Sequence, residues 1–320
     1  MILGIDIGGT KCAVALGTAE GVITDRMEMP TYAEEGPQAI LGRLKELARS
    51  LLTSNGIGEG ALEGIGISCG GPLDTKTGLV WNPPNLPGWD AVPVRSIFEE
   101  GFPGVRVVLD NDANATALAE WRWGAGAGTR NMVFMTMGTG IGGGLVLDGR
   151  LYRGTNDLAG EVGHQTILIN GPLCKCGKRG CLEALASGPA IARLARESLH
   201  YGRGRRLVEL AGGQPKNITA KHVVEAAQQG DAFSTRILEE AGTYMGIGIA
   251  NIVQILNPER VVLGTIAVHA GDLVLEPIRR ALGEYAWKRS AQVCAVVPAA
   301  LGDKAQDLAA IALVTEGDAI

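Results

Sequence analysis

Two widely separated segments share one plan, and that repetition constrains the fold more than any other feature of the chain. Residues 2–16, ILGIDIGGTKCAVAL, read as an apolar strand, a turn at Gly8-Gly9-Thr10 and a second apolar strand. Residues 132–147, MVFMTMGTGIGGGLVL, repeat strand, glycine turn and strand. Gly138, Gly140 and Gly143 satisfy G-x-G-x-x-G, but a dinucleotide fingerprint requires a helix directly after the glycines. Leu145-Val146-Leu147 follows instead, and Asp148-Gly149 is a hairpin-turn dipeptide, so the chain continues as strands. Neither turn is a P-loop, since G-x-x-x-x-G-K-[ST] is absent. Two β-hairpins remain, whose tips expose backbone N–H groups with no Cβ in the way and so form anion-binding nests. The alternative is a pair of ordinary hairpin turns. Each tip carries a hydroxyl, Thr10 or Thr139, and the first adds Asp6 and Lys11. A carboxylate beside a phosphate cradle suits Mg²⁺, and a lysine offers a point charge to phosphate oxygens. The expectation is a duplicated, two-lobed plan with phosphates clamped in the cleft between lobes.

A second constellation lies between Glu161 and Glu183, EVGHQTILINGPLCKCGKRGCLE. His164, Cys174, Cys176 and Cys181 supply one imidazole and three thiols, the complement of a tetrahedral Zn²⁺ site. Gly177 and Gly180 let the chain fold back so that Cys181 reaches the same ion. Such a shell is closed, with no position for water, so the metal is predicted to be structural rather than hydrolytic. Three unrelated buried thiols and a surface histidine are the bland alternative. Cys12, Cys69 and Cys294 lie in or beside apolar stretches and read as core thiols. Thiolate ligands without a secretion signal point to a reducing cytoplasm.

Between the hairpins the pattern is α/β. Residues 37–52 carry apolar positions at helical spacing, and 62–68 form a strand ending in the loop Cys69-Gly70-Gly71-Pro72. The strand 106–109 runs into Asp110-Asn111-Asp112-Ala113-Asn114, and ANATALAEWRW reads as a helix that stops in the glycine-rich run 124–128, a candidate hinge. A polar cluster where a strand ends and a helix opens is where open α/β sheets place ligands. It is equally where a helix takes its N-cap, here from Asn111 or Asp112. Residues 219–240 and 242–256 read as two helices, 260–263 as a strand ended by a ligand loop at Gly264, and 304–316 as a final helix. With 320 residues, 46% of them hydrophobic, the chain can bury a large core in two lobes. A net charge of −5 without blocks of like charge argues against a nucleic-acid surface. The longest apolar stretches, such as 246–256, are too short to span a bilayer.

DIGGTK at 6–11, NDANA at 111–115, MGTGIGGG at 137–144, EVGH at 161–164 and CKCGKRGCLE at 174–183 occur in this order. In them, and over essentially its whole length, the chain resembles the ROK family of sugar kinases and repressors. The resemblance implies an α/β, two-lobed actin and hexokinase-like (ribonuclease H-like) fold, with ATP between the lobes and the sugar deep in the cleft. The small lobe would take residues 1–118 and about 303–320, and the large lobe about 119–302, including the zinc segment 161–183. Asp112 is implied as general base, with Gly71, Asn111, Glu161, His164 and Glu183 as further sugar contacts. A structural zinc is implied on His164, Cys174, Cys176 and Cys181; the further expectation is that this ion clamps the loop so that the other nitrogen of His164, with Glu161 and Glu183, points at the sugar. Asp6 would act near Mg²⁺; Gly8, Gly9, Thr10, Lys11, Gly138, Thr139 and Gly140 near the phosphates; and Gly264 at the nucleotide. The family often carries a glycine pair after the late strand, near the base, and Gly264-Thr265-Ile266 departs from it.

The expected activity is transfer of phosphate from ATP to a hexose hydroxyl. Family members acting on glucose, giving glucose 6-phosphate, look most alike in the NPPNLPGW run at 82–89 and in the set Glu161, His164, Glu183. An N-acetylhexosamine or fructose kinase is the alternative within the family. A sugar-sensing protein without turnover is the alternative of another class. Repressor members carry a DNA-binding segment ahead of the kinase lobe; this chain starts on the phosphate hairpin, which favours the enzyme. Trp81 and Trp89 read as core rather than sugar platforms. The expected partners are hexose and ATP in a homodimer or higher homo-oligomer, with no nucleic acid and no membrane.

Overall fold

The computed structural model describes residues 1–199 and 203–316; the last four residues of the expected small-lobe tail, 317–320, lie outside the described residues. The chain divides into two compact units. One comprises Met1–Gly128, Gly144–Ala159 and the chain from Ala300 onward; the other comprises Thr129–Gly143 and Gly160–Ala299.

The first unit opens with β1 (Ile2–Ile7), β2 (Lys11–Gly17), β3 (Ile23–Pro30), α1 (Gly36–Ser54) and β4 (Gly64–Cys69). The short pair β5 (Leu73–Asp74) and β6 (Leu79–Val80), then α2 (Val94–Gly101), β7 (Val107–Asn111) and α3 (Asp112–Trp123) follow. The sheet order is β3-β2-β1-β4-β7, antiparallel across β1, β2 and β3 and parallel across β1, β4 and β7. β1 and β4 are buried along their whole length, which is why they read as unbroken apolar runs rather than alternating ones. Leu41, Leu44 and Leu51 of α1 join Leu3, Ile5 and Val14 in one core cluster.

The chain next forms β8 (Met132–Met135), followed by the hairpin β9 (Gly143–Leu147) and β10 (Arg150–Leu151). Asp148 and Gly149 at its turn have φ of +52° and +75°, the left-handed pair that a tight two-residue hairpin demands. The second unit continues through α4 (Leu182–Ala186), α5 (Gly188–Glu197), α6 (Arg205–Leu210), α7 (Ala220–Gln228), α8 (Ala232–Leu256), β11 (Arg260–Leu263), α9 (Ile266–Ala270), α10 (Asp272–Tyr285), α11 (Lys288–Val293) and β12 (Ala295–Pro298). β11 pairs in parallel with both β8 and β12. The final helix, α12 (Ala305–Thr315), packs on β1 and β4 of the first unit. Its approach explains a glycine inside β4: a Cβ on Gly66 would lie 1.8 Å from the Ala310 carbonyl oxygen.

One helix boundary differs from the sequence reading. The break falls at Gly230-Asp231, with Gly230 at φ +88° and Asp231 capping α8 through Ser234 N–H. Gly242, read as a boundary, lies inside α8. A Cβ there would meet Pro277 of α10 at 2.9 Å, so this glycine serves helix packing rather than termination. Among the described residues no helix is long and apolar enough to cross a membrane.

Candidate active site

In the first unit, the turn Gly8-Gly9-Thr10 joins β1 to β2. Its carbonyls are held: Thr31 Oγ1 donates to Gly8 O at 2.6 Å, and Thr31 N–H donates to Thr10 O at 3.0 Å. Thr31 is itself fully buried, and its carbonyl accepts from Arg43 at 2.8 Å. The amides of Gly8, Gly9 and Thr10 donate to no group among the described residues. Carbonyls tied down and amides left as donors make an anion nest. The NPPNLPGW loop supports it, since a Cβ on Gly9 would lie 2.4 Å from Asn85 Cβ. Lys11 Nζ pairs with Glu28 at 3.3 Å, both about half exposed; such a pair contributes little and leaves the charge available to an anion.

Asn111 ends β7 and caps α3, its Oδ1 accepting Asn114 N–H at 2.7 Å. The capping role is therefore real, and it uses only the carbonyl oxygen; Nδ2 donates to no described residue. Asp112 is the first residue of α3 and is exposed, with Oδ1 accepting Ala113 N–H at 2.8 Å. A Cβ on Gly71 would come 3.9 Å from Asn111 Cβ, which puts the Gly70-Gly71-Pro72 loop beside this turn. The preceding residue, Asp110, is fully buried and accepts from Arg153 Nε at 2.6 Å, Asn114 Nδ2 at 2.9 Å and Asn111 N–H at 2.7 Å. Burial pushes the Asp110 carboxyl up, and Arg153 opposes that shift. Arg153 also grips Glu316, and its carbonyl accepts Ala159 N–H at 3.1 Å. Beside it a cavity of about 370 Å³ is lined by Pro72, Trp81, Thr155, Asn156 and Leu158 among others. Trp81 is half-buried there, while Trp89 is fully buried in the core.

In the second unit, the amides from Thr136 to Gly142 can be accounted for one by one. Thr136 donates to Gly142 O, Met137 to Thr265 Oγ1, Gly138 to Gly140 O, Ile141 to Glu183 Oε2 and Gly142 to Thr136 Oγ1. Thr139 and Gly140 remain as unpaired donors among the described residues. The metal segment packs directly on this turn. A Cβ on Gly163 would lie 2.0 Å from Ile141 O, and one on Gly140 would lie 2.7 Å from Glu183 Oε2. Glu183, expected among the sugar contacts, uses Oε2 on the Ile141 amide, while its other oxygen lies 3.9 Å from Cys174 Sγ. Gly264, after β11, donates its N–H to Met135 O at 2.9 Å.

His164, Cys174, Cys176 and Cys181 converge, their candidate ligand atoms all within 4.8 Å of one another. Cys176 and Cys181 sulfurs are 3.7 Å apart, and Cys174 Sγ is 3.8 Å from His164 Nδ1. A tetrahedron with metal–sulfur legs of about 2.3 Å has edges of about 3.8 Å, so the spacing fits a zinc-sized ion. Gly177 and Gly180 have φ of +84° and +73°, the turns that return Cys181 to the cluster. Burial, with the two neighbouring thiols behind it, pushes Cys181 up to about 12; a cation in their midst is what would make the group thiolate. His164 Nε2 faces Glu161 Oε2 at 3.7 Å.

Asp6, on β1 ahead of the first turn, is pushed up to about 7 by burial and then by the charges of Asp112 and Asp307. A site that resists a lone negative charge in this way favours a cation. The sign of the pH effect follows. Between the ordinary value of 3.8 and about 7 the folded chain keeps a proton that the unfolded chain has released. Stability therefore falls as pH rises through that window, by at most about 4 kcal/mol. Urea unfolding of Asp6→Asn without divalent cation should show the loss between pH 5 and pH 8 largely removed; parallel curves for both proteins would contradict it.

Sequence reasoning did not find Arg153, Thr31 or Glu120. The last is a fully buried carboxylate that accepts the N–H groups of Ala125, Ala300 and Leu301.

The pattern of the ROK family matches residues 2–317. A glucokinase of Halalkalibacterium halodurans is 37% identical over 304 residues, 95% of this chain and 91% of that protein. A ROK hexokinase from Thermus thermophilus is 35% identical, with a TM-score of 0.80 over 98% of this chain and 97% of its own. A ROK family glucokinase from Streptomyces griseus, solved with glucose and AMPPNP, is 33% identical, with a TM-score of 0.80 over 99% of each chain. With two α/β units, each carrying a glycine turn, the fold is the two-lobed actin and hexokinase-like one. Motif order, topology and full-length similarity agree, and the chain belongs to the ROK family.

Proposed function

We propose that the chain is an ATP-dependent sugar kinase whose substrate is glucose, converted to glucose 6-phosphate. The observation that carries this is the pair of glycine turns whose amides have no partner among the described residues, Gly8-Gly9-Thr10 and Thr139-Gly140, since such donors meet phosphate oxygens and their spreading negative charge. Asp112 takes the proton of the attacking hydroxyl as general base. Asn111 Nδ2, the Gly71 loop, Glu161, His164 and Glu183 orient the sugar. Lys11 meets phosphate oxygens as a point charge, and Gly264 lies at the nucleotide. Asp6 would hold Mg²⁺, which supplies charge neutralisation to the transferring group. A cytoplasmic setting accords with a ligand set of reduced thiols, and a homodimer or higher homo-oligomer belongs to the same reading.

Zinc on His164, Cys174, Cys176 and Cys181 would be structural, with a closed shell. His164 Nδ1, on the side of Cys174, would serve that ion, and Nε2, on the side of Glu161, would be left for a sugar hydroxyl. Cys181→Ser is expected to lose the metal and raise the sugar KM together, by about tenfold or more. Metal loss with an unchanged sugar KM would separate the two roles.

The test of the function is ADP release from ATP across glucose, fructose, mannose and the N-acetylhexosamines. Glucose is expected to give the highest kcat/KM. Higher turnover with N-acetylmannosamine would move the assignment within the family, and no ADP release with any sugar would leave a sugar-sensing protein.

A further inference from the structure

Beside the second glycine turn, one residue departs from ordinary backbone geometry. Thr265, two residues after β11, has φ +55° and ψ −112°, a combination that a β-branched residue adopts only when its surroundings impose it. The surroundings are visible. Thr265 Oγ1 accepts the Met137 N–H at 2.9 Å, and the next amide, Ile266 N–H, donates to Met137 O at 3.1 Å. Residues 265 and 266 thus hold both polar groups of Met137, directly ahead of Gly138-Thr139-Gly140. A Cβ on Gly138 would come 3.5 Å from Thr265 Oγ1 and 3.6 Å from its Cγ2, so the side chain lies against the turn itself.

A turn with glycine on both sides of Thr139 has a large conformational space of its own. Its two unpaired amides meet a ligand only if both ends of the turn are pinned. The far end is pinned through Ile141 N–H to Glu183 and Gly142 N–H to Thr136. At the near end the side-chain anchor is Thr265, with Gly188 N–H holding Gly138 O at 2.7 Å. We propose that Thr265 is a positioning residue for the nucleotide phosphates, an inference that rests on the kinase reading above. Its strained backbone places the hydroxyl on Met137, and the hydroxyl fixes the direction of the Thr139 and Gly140 amides.

The test combines titration with magnesium and AMPPNP, thermal unfolding, and the glucose KM. Thr265→Gly removes the strain and the anchor together. The analogue is expected to bind about tenfold more weakly, the scale of one lost hydrogen bond. Its Tm should be unchanged or higher, and the glucose KM should stay within about twofold. Weaker binding in a protein of equal or greater stability is a pattern that a merely structural hydrogen bond cannot produce. Thr265→Ser keeps the hydroxyl and should bind within about threefold of the unaltered chain. AMPPNP binding by Thr265→Gly as tight as in the unaltered chain overturns the proposal, as does a Ser variant as weak as the Gly variant. If the unaltered chain binds AMPPNP and the Gly variant matches it, this proposal alone fails. If the unaltered chain binds no AMPPNP, the kinase reading fails and takes the proposal with it.

Discussion

Asp112→Asn is expected to cut turnover by at least about 10²-fold, the usual scale for a lost general base, while the sugar KM stays within a few-fold. The substitution keeps an oxygen able to accept Ala113 N–H, so the start of α3 and the cap from Asn111 should survive. What it removes is the carboxylate. A carboxylate suits the role because the attacking alcohol becomes strongly acidic only late in phosphoryl transfer. A second readout comes from Asp6, whose carboxyl is pushed up to about 7 partly by the charge of Asp112. In the Asn variant that contribution disappears, so the pH window over which stability falls should narrow from its alkaline end. Steady-state ADP release and urea unfolding at several pH values measure both effects. Near-normal turnover would remove Asp112 from the mechanism even if the stability effect appeared.

How much of this was legible in the sequence depends on whether a residue acts locally or through a distant partner. The glycine turns, the cysteine spacing and the strand end at Asn111 leave local marks, because each imposes a backbone requirement on neighbouring positions. Gly177 and Gly180 were readable as fold-back glycines for this reason, and their left-handed φ values agree. Arg153 had no such mark. Its meaning lies in Asp110 and Glu316, which are 43 and 163 residues away in the chain. Thr31, the residue after β3, likewise acts on partners distant in the chain, since it holds the carbonyls of both Gly8 and Thr10. Gly242 was misread because glycine signals both helix ends and close helix contacts, and only α10 decides between them. Thr265 stood out as a departure from a glycine pattern, but its strain and its hydrogen bond to Met137 needed coordinates.

The pair Asp110–Arg153 carries the other large effect. The side chain of Asp110 is 0% exposed and that of Arg153 is 22% exposed, and among the described residues Arg153 is the cation paired with this carboxylate. Arg153→Met should therefore cost about 3–5 kcal/mol, the range for removing one partner of a buried ion pair. Part of that cost becomes pH-dependent. Burial already pushes the Asp110 carboxyl up and Arg153 is the largest influence pulling it down, so without Arg153 it rises further. The folded chain then holds a proton over a window that begins at the ordinary aspartate range and extends upward. Stability is lost as pH climbs through that window, and the variant should lie nearer the unaltered chain at pH 5 than at pH 8. Asp110→Asn combined with Arg153→Met removes both charges while Oδ1 still accepts from Asn111 and Asn114. The double variant should recover much of the loss and lose most of the pH dependence. Turnover should follow the same order, because Asp110 sits directly beneath the turn that presents Asn111 and Asp112. A single variant within about 1 kcal/mol of the unaltered chain at pH 8, with no pH trend, would show that Asp110 finds its compensation elsewhere.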